Sequence, residues 1–543
     1  MSTGATIHTA APSVTDAAPL MAFFLVVAAT LLLCLLFGAD SEGIDDLYAA
    51  GRSVRPWRNA LAMTGDTITI SLLLSCTGLV SVAGYDGTAL AVSTIGAYVV
   101  LQVLARPLRN TGRFTIGDTL AARFDTRSVR TAAAVICVVV CVPLCVVQLT
   151  AAGGASAAML GLSGTAPAQL CTVFIGGMMV CAAALTGMRG NTLLQVVKTL
   201  MVFVCLVALV ILLLRSTGWS PVRLLSDAID RNAGPVGYFA PGRLYGTDLT
   251  GRLNLLSVQV TVVLGSAVVP HMIMRVKTAE HGGAARRSIM LATGMVTVFA
   301  LLAVALGLGA AARSGAQAVG QFDLQSSTAI LSLVQDLVAG PAGDLLTALV
   351  VSAVFLTSLT VVAALALSAG AALVHDIYVS GLHRGRVLPS TEIKAMRWAT
   401  PVIGAIAVLL SLLAQNWHIQ FLAQFAVSVS ASAVLPSLVY ALFWKGCTKT
   451  GLLWAMYTGL ACCVVLQMFG PMVSGRPGAL FPSVDFAWFP LATTGLVTIP
   501  VGFAAGWIAS VRTARSREPD HTARYAAIAA RSLLDRPRED RVL

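Results

Sequence analysis

Asp66 and Lys198 are ionisable residues in stretches that are otherwise apolar. Asp66 lies in the run 59–84 and Lys198 in the run 191–214. A charge inside a membrane span is expensive and normally faces a cavity, an ion or a partner. Between Gly65 and Gly78, Thr67, Thr69, Ser71, Ser75 and Thr77 supply hydroxyls, and Thr64 precedes them. Such a run offers oxygens to a hard cation and donors to an anion. Gln195, one turn before Lys198, falls on nearly the same helical face and extends a polar stripe. Each feature has a plainer reading. A lysine near a helix end can snorkel to the interface, an aspartate there can sit in it, and Ser75, Gly78 and Ser81 can simply let helices pack closely.

Other chemistries find no residues to carry them. The sequence holds no HExxH, no Gly-x-Ser-x-Gly, no paired intramembrane acids and no Cys/His set with zinc spacing. Cys137, Cys141 and Cys145 share one helical face and read as small lipid- or helix-facing side chains, not as a metal site. His271 and His375 read as anchors at helix ends, and Tyr85-Asp86 as a turn. The expectation is a protein that is not an enzyme and needs no cofactor. Nucleic acid is not expected as a partner, since the arginines come without interleaved aromatics.

The elements that position these residues follow from composition. Of 543 residues, 57% are hydrophobic and 11% charged, with a mean hydropathy of +0.83. Soluble domains carry about a quarter charged residues, so lipid is the main solvent. Residues 1–19 contain no Lys or Arg and do not resemble a signal peptide. Pro19–Gly38 is long enough to span. Further apolar runs lie at 59–84, 87–105, 131–160, 166–188, 191–214, 253–273, 289–312, 345–374, 398–415, 420–444, 450–472 and 487–511. Thirteen helical spans are expected, because only helices satisfy the backbone within lipid here.

Basic residues test that count. With the N-terminus outside, 28 of the 36 Lys/Arg fall in inner loops and tail, 7 fall in outer loops, and Lys198 lies within a span. That is the positive-inside bias. The expected layout is an extracellular segment 1–18, a transmembrane domain 19–511 and a cytoplasmic tail 512–543, helical around Tyr525–Leu534. The location is the plasma membrane. Arg106, Arg109, Arg113, Arg123, Arg127 and Arg130, in one inner loop, are expected to face anionic headgroups.

Two spans carry helix-breaking residues. The second holds Gly65 and Gly78; the seventh holds Gly265, Ser266 and Pro270. They are five spans apart, and an odd repeat inserts its two copies in opposite senses. The fold class is therefore all-α integral membrane, with repeats over about 59–214 and 253–444 in a 5+5 inverted arrangement. Interrupted helices near the midplane are where transporter sites form. A half-helix N-terminus suits a carboxylate, so Thr67, Thr69 and Ser71 are expected to meet a small anionic solute. Gly265 and Ser266 would form the opposite wall.

Several segments, in this order and spacing, resemble the sodium:solute symporter family, and within it the cation–acetate (monocarboxylate) symporters. They are Asp46-Leu47-Tyr48-Ala49-Ala50-Gly51-Arg52, Gly65-Asp66, Ala83-Gly84-Tyr85-Asp86-Gly87, Leu108-Arg109-Asn110-Thr111-Gly112-Arg113-Phe114-Thr115, Gln195-Val196-Val197-Lys198, Pro270-His271-Met272-Ile273-Met274-Arg275, His375-Asp376-Ile377-Tyr378 and Phe443-Trp444-Lys445 with Gly451. The likeness covers roughly residues 45–510. It implies a LeuT-like fold with alternating access and a cation-coupled symporter importing acetate or a similar short-chain monocarboxylate. The alternatives are a symporter for a proline- or pantothenate-like solute, or a membrane sensor.

The resemblance also implies a sodium site. Its ligands would be the carbonyls of Thr64 and Thr67 beside Asp66, and a hydroxyl pair on the ninth span that falls on Thr360 and Val361. Two positions depart from that pattern. Val361 has no side-chain oxygen, and Gln195 stands where relatives often carry Asp. With Lys198 one turn away, Gln195 and Lys198 become the coupling candidates. The expectation is that Lys198, as a fixed or titrating ammonium, partly replaces sodium, so the coupling ion is sodium or a proton.

Overall fold

The structure, a computed structural model, describes residues 43–159, 164–232, 237–315, 341–416, 420–475, 479–514 and 521–533, with a few positions in 25–32 and 333–337. Among the described residues the regular elements are helical, and extended pairing is confined to two isolated bridges. Eleven helices there are long and apolar enough to cross a bilayer, or twelve counting a bent pair as one span. These coincide with twelve of the runs expected from the sequence. Of the remaining one, Pro19–Gly38, only scattered positions are described, and 1–18 lie outside the described residues.

The helices that matter here are α1 (Pro56–Thr67), α2 (Ile70–Ala83), α3 (Tyr85–Asn110), α4 (Ile116–Ala121), α5 (Arg127–Met159), α6 (Thr165–Ser216), α7 (Leu249–Ser266) and α8 (Pro270–Lys277). They are followed by α9 (Gly282–Ser314), α10 (Pro341–Ala371), α11 (Pro389–Leu413), α12 (Gln420–Val429), α13 (Leu435–Phe443), α14 (Lys449–Met468), α15 (Gly495–Arg512) and α16 (His521–Leu533). α6 holds two spans, Thr165–Ala183 and Gly187–Ser216. Gly187 turns the chain between them at φ +51°, a conformation that suits glycine.

Two apolar cores organise the bundle. One gathers Leu73 and Leu74 of α2 with Cys141 and Leu149 of α5, Leu194 and Leu206 of α6 and Leu359 of α10. The other gathers Ala60 and Met63 of α1 with Leu101 of α3, Ile273 of α8, Ile289 of α9 and Leu438 of α13. α1 and α2 belong to one span but to different cores. The chain steps from one core to the other at Ile68-Thr69, where the two helices meet at a bend of 64°.

Candidate solute and cation site

The break has a local cause. Thr67-Ile68-Thr69-Ile70 is a β-branched run, whose side chains are stiff in a helix, and Thr69 is a good N-cap. α1 stops with Ile68 N–H on the Thr64 carbonyl at 2.9 Å and Thr69 N–H on the Thr67 carbonyl at 2.8 Å. α2 starts with the Leu72 N–H donating to Thr69 Oγ1 at 3.0 Å. Gln148 of α5 closes the side of the break: its Oε1 accepts from Ile70 N–H at 3.1 Å and its Nε2 donates to Ser71 Oγ at 3.1 Å. Thr67 Oγ1 pairs with the Tyr98 hydroxyl at 2.6 Å, and that hydroxyl also reaches the Met63 carbonyl at 2.9 Å. The Thr69 and Ser71 hydroxyls are thus brought together, at 3.2 Å, while the Thr67 hydroxyl turns to Tyr98 and the Met63 carbonyl.

Charge gathers on the α1 side. Both Asp66 and Arg275 are buried, and Arg275 Nε donates to Asp66 Oδ2 at 2.7 Å. Gln195 Nε2 donates to Asp66 Oδ1 at 2.5 Å, and Arg275 Nη1 donates to Thr192 Oγ1 at 2.6 Å. The fully buried Lys198 ammonium donates to the Gly65 carbonyl and, at 2.9 Å, to the Ile68 carbonyl. This close approach of α6 to α1 needs Gly65, because a Cβ there would lie 2.5 Å from Thr199 Oγ1 and 2.6 Å from Gln195 Oε1. Lys198 therefore does not snorkel; it ends in the break.

Thr360 and Val361 are buried on α10, which packs against α1, α2, α5 and α6. Thr360 Oγ1 donates back to the Leu356 carbonyl at 2.9 Å. The second break lies between Ser266 and Pro270, where proline opens α8 at a position whose N–H would be unpaired in any case. A Cβ on Gly265 would lie 2.2 Å from the Val427 carbonyl, so that residue serves the contact of α7 with α12. Among the described residues, Gly265 and Ser266 share no hydrogen bond with Thr67–Ser71.

A second polar cluster joins α4, α5, α11 and the π-helix Ala372–Leu382 that continues α10. His375 bridges Glu392 at 2.8 Å and Asp118 at 3.2 Å. Arg130 reaches Asp118 at 2.9 Å and Asp376 at 3.4 Å. Thr115 and Asp118 form a reciprocal cap at the start of α4. Burial alone would raise the Asp118 carboxyl, but His375 and Arg130 hold it below the usual carboxylate range. His375 here is an anchor between helices, and Asp86 likewise anchors a loop through the Gly242 and Leu244 N–H groups.

The basic loop differs from expectation. Arg109 and Arg123 are buried, and Arg130 is spent on acids. Arg123 donates to the carbonyls of Tyr440, Ala441, Trp444 and Lys445 at 2.8–3.0 Å, closing the C-terminus of α13. Arg109 holds the carbonyls of Ala279 and Glu280. Unpaired carbonyls at a helix end attract cations, and that demand outweighs the membrane surface for these residues. Among the described residues no group of three or more His, Cys, Asp or Glu side chains could hold a metal ion. The buried Cys137 and Cys145 face α10 backbone.

Sequence reasoning passed over Gln148, Tyr98 and Thr192. Gln148 left a signal, being the sole amide side chain in the run 131–160.

A bundle whose second span breaks over a buried ion pair and a row of hydroxyls has the architecture of membrane symporters. The profile of the sodium:solute symporter family matches residues 47–459, and the chain belongs to that family. It is 33% identical to the "Monocarboxylic acid transporter" of Corynebacterium glutamicum over 500 residues, 90% of each chain. It is 32% identical to the "Uncharacterized symporter YwcA" of Bacillus subtilis over 493 residues, 90% of this chain and 93% of the other. In fold it is similar to a Na+-coupled sialic acid symporter in a substrate-bound outward-open state (TM-score 0.68, 14% identity, 92% and 98% covered). It is also similar to Mhp1, a nucleobase-cation-symport-1 family transporter (TM-score 0.54, 13% identity, 89% and 98% covered). The fold is that of the LeuT-like symporters.

Proposed function

We propose that this chain imports a short-chain monocarboxylate, acetate first among them, by cation-coupled alternating access across the plasma membrane. The observation that carries the reading is the break itself. The N-terminal end of α2 presents a positive dipole end beside Thr67, Thr69 and Ser71. A row so short fits a small carboxylate better than a large polar solute. The name of the Corynebacterium relative supports the same solute class. Thr67, Thr69 and Ser71 would bind the carboxylate, with Gly265 and Ser266 as the facing wall on rocking of the second repeat. Asp66, the carbonyls of Thr64 and Thr67, and Thr360 of α10 are the positions at which the family resemblance would seat a coupling cation. The Lys/Arg distribution supports an N-terminus outside and a cytoplasmic tail.

The test is uptake of labelled acetate by proteoliposomes of the full chain, with protein-free vesicles to subtract passive entry of the undissociated acid. Saturable accumulation, reduced by propionate and not by proline, is expected. Non-saturable entry equal to that of protein-free vesicles would sink the assignment.

A further inference from the structure

The family resemblance implies a sodium ion between the broken span and α10, and the side chains present do not fit one. Sodium is a hard cation that needs several oxygen ligands. Val361, one of the two positions implied to offer a hydroxyl, has none. The carbonyls implied on α1, those of Thr64 and Thr67, already accept backbone N–H groups. The adjacent carbonyls that point out of the broken turn, those of Gly65 and Ile68, both hold the Lys198 ammonium.

The charges around Lys198 indicate the purpose of that contact. The charges that act on it are Asp66 of α1 and Arg275 of α8; on its own helix Gln195 donates to Asp66 and Thr199 donates to the Gln195 carbonyl. Asp66 is already neutralised by Arg275 at 2.7 Å. Lys198 is left to meet the carbonyl end of α1, where the helix dipole and unpaired oxygens favour a positive charge. A buried, desolvated cation held by backbone carbonyls at a helix break is what a bound alkali ion would be in the same seat.

We infer that the Lys198 ammonium is a built-in cation standing in place of a sodium ion at the helix break, so that this chain transports its solute without sodium. The inference rests on reading the chain as a solute symporter and says which cation sits in its seat.

Two measurements test it, one of them independent of the solute. In the first, the melting temperature of the purified full chain is compared in sodium and in choline chloride, since a ligand that binds only the folded state raises it. The wild type is expected to melt alike in both. The pair Lys198→Ala with Val361→Ser, which empties the seat and restores an oxygen, is expected to melt higher in sodium. In the second, proteoliposome uptake of acetate is driven by a pH gradient in sodium-free buffer and by a sodium gradient at equal pH. Replacing potassium by sodium should leave wild-type uptake unchanged, while the double variant should gain about tenfold, within the usual span of coupling between sites.

A wild type that melts higher in sodium, or needs it for uptake, overturns the inference. So does a double variant as indifferent to sodium as the wild type. If no monocarboxylate is taken up under either gradient, the solute assignment fails, and the melting comparison still decides the question of Lys198.

Discussion

Asp66 gives its two oxygens to different elements, one to Gln195 of α6 and the other to Arg275 of α8. Removing one partner of a buried ion pair strands the other charge and costs about 3–5 kcal/mol. Asp66→Asn and Arg275→Met should each lower the melting temperature sharply. The double variant should lose less than the two losses together, by an interaction of about 0.5–3 kcal/mol. Additive losses would mean that the pair is not coupled. Asp118 makes a different prediction, because its folded value is depressed. Its native carboxylate stays charged where the unfolded chain, with a value of ~3.9, already takes up protons. Its contribution is complete above that value and fades as pH falls toward the folded value. Asp118→Asn should therefore flatten the acid limb of a melting-temperature profile recorded down to about pH 3. A limb unchanged from wild type would place the acid sensitivity elsewhere. At this scale the sequence was half legible. Charges and hydroxyls in apolar runs stood out, as Asp66, Lys198 and the Thr67–Ser71 row did. Their partners did not, since nothing in the spacing relates Gln195 to Asp66 or Gln148 to Ile70 across 78 or more residues.

Gly65 is where the elements are set. α6 can bring Lys198 to the broken turn only if nothing projects from α1 at that point. Gly65→Ala should push the two helices apart, at about 1–3 kcal/mol for an overpacked contact, and reduce acetate uptake severalfold. Gly177→Ala, in α6 with open space around it, should lower neither the melting temperature nor uptake. Equal effects of the two substitutions would show that close approach is not what Gly65 provides. Twelve spans could be read directly from hydropathy because lipid leaves the backbone no alternative to the helix. That two spans break was also legible, through Gly65 and Gly78 in one and Gly265, Ser266 and Pro270 in the other; that the first break falls on the β-branched run at Ile68-Thr69 was not. The docking of the tail was not. The helical stretch around Tyr525 was expected, but α16 rests on the bundle through Tyr525, whose ring lies 4.8 Å from the Arg123 guanidinium and whose hydroxyl donates to the Phe443 carbonyl at 3.0 Å. That contact depends on Arg123 turning inward to close α13. Charge patterning alone assigns such a residue to the membrane surface.

For the whole molecule, the inverted arrangement fixes which segments must lie on opposite sides of the membrane. The amphipathic helix Pro221–Arg231 precedes the span Leu249–Lys277, and the turn at 383–388 follows the span Leu346–Leu382. Three described spans separate them, so they lie on opposite faces whatever precedes residue 43. The absolute sense comes from the basic residues, and it puts 221–231 outside and 383–388 inside. Asp230 and Arg386 are both exposed, so cysteines placed there can report their side. In a Cys181→Ala background, which removes the one exposed native thiol among the described residues, Asp230→Cys should react with a membrane-impermeant maleimide in intact cells. Arg386→Cys should react only after permeabilisation. The reverse pattern would invert the protein, and with it the direction in which the α2 half-helix opens to solute. Reaction of both in intact cells would contradict an odd number of spans between them. The repeat would then lose its antiparallel partner, and alternating access its symmetry.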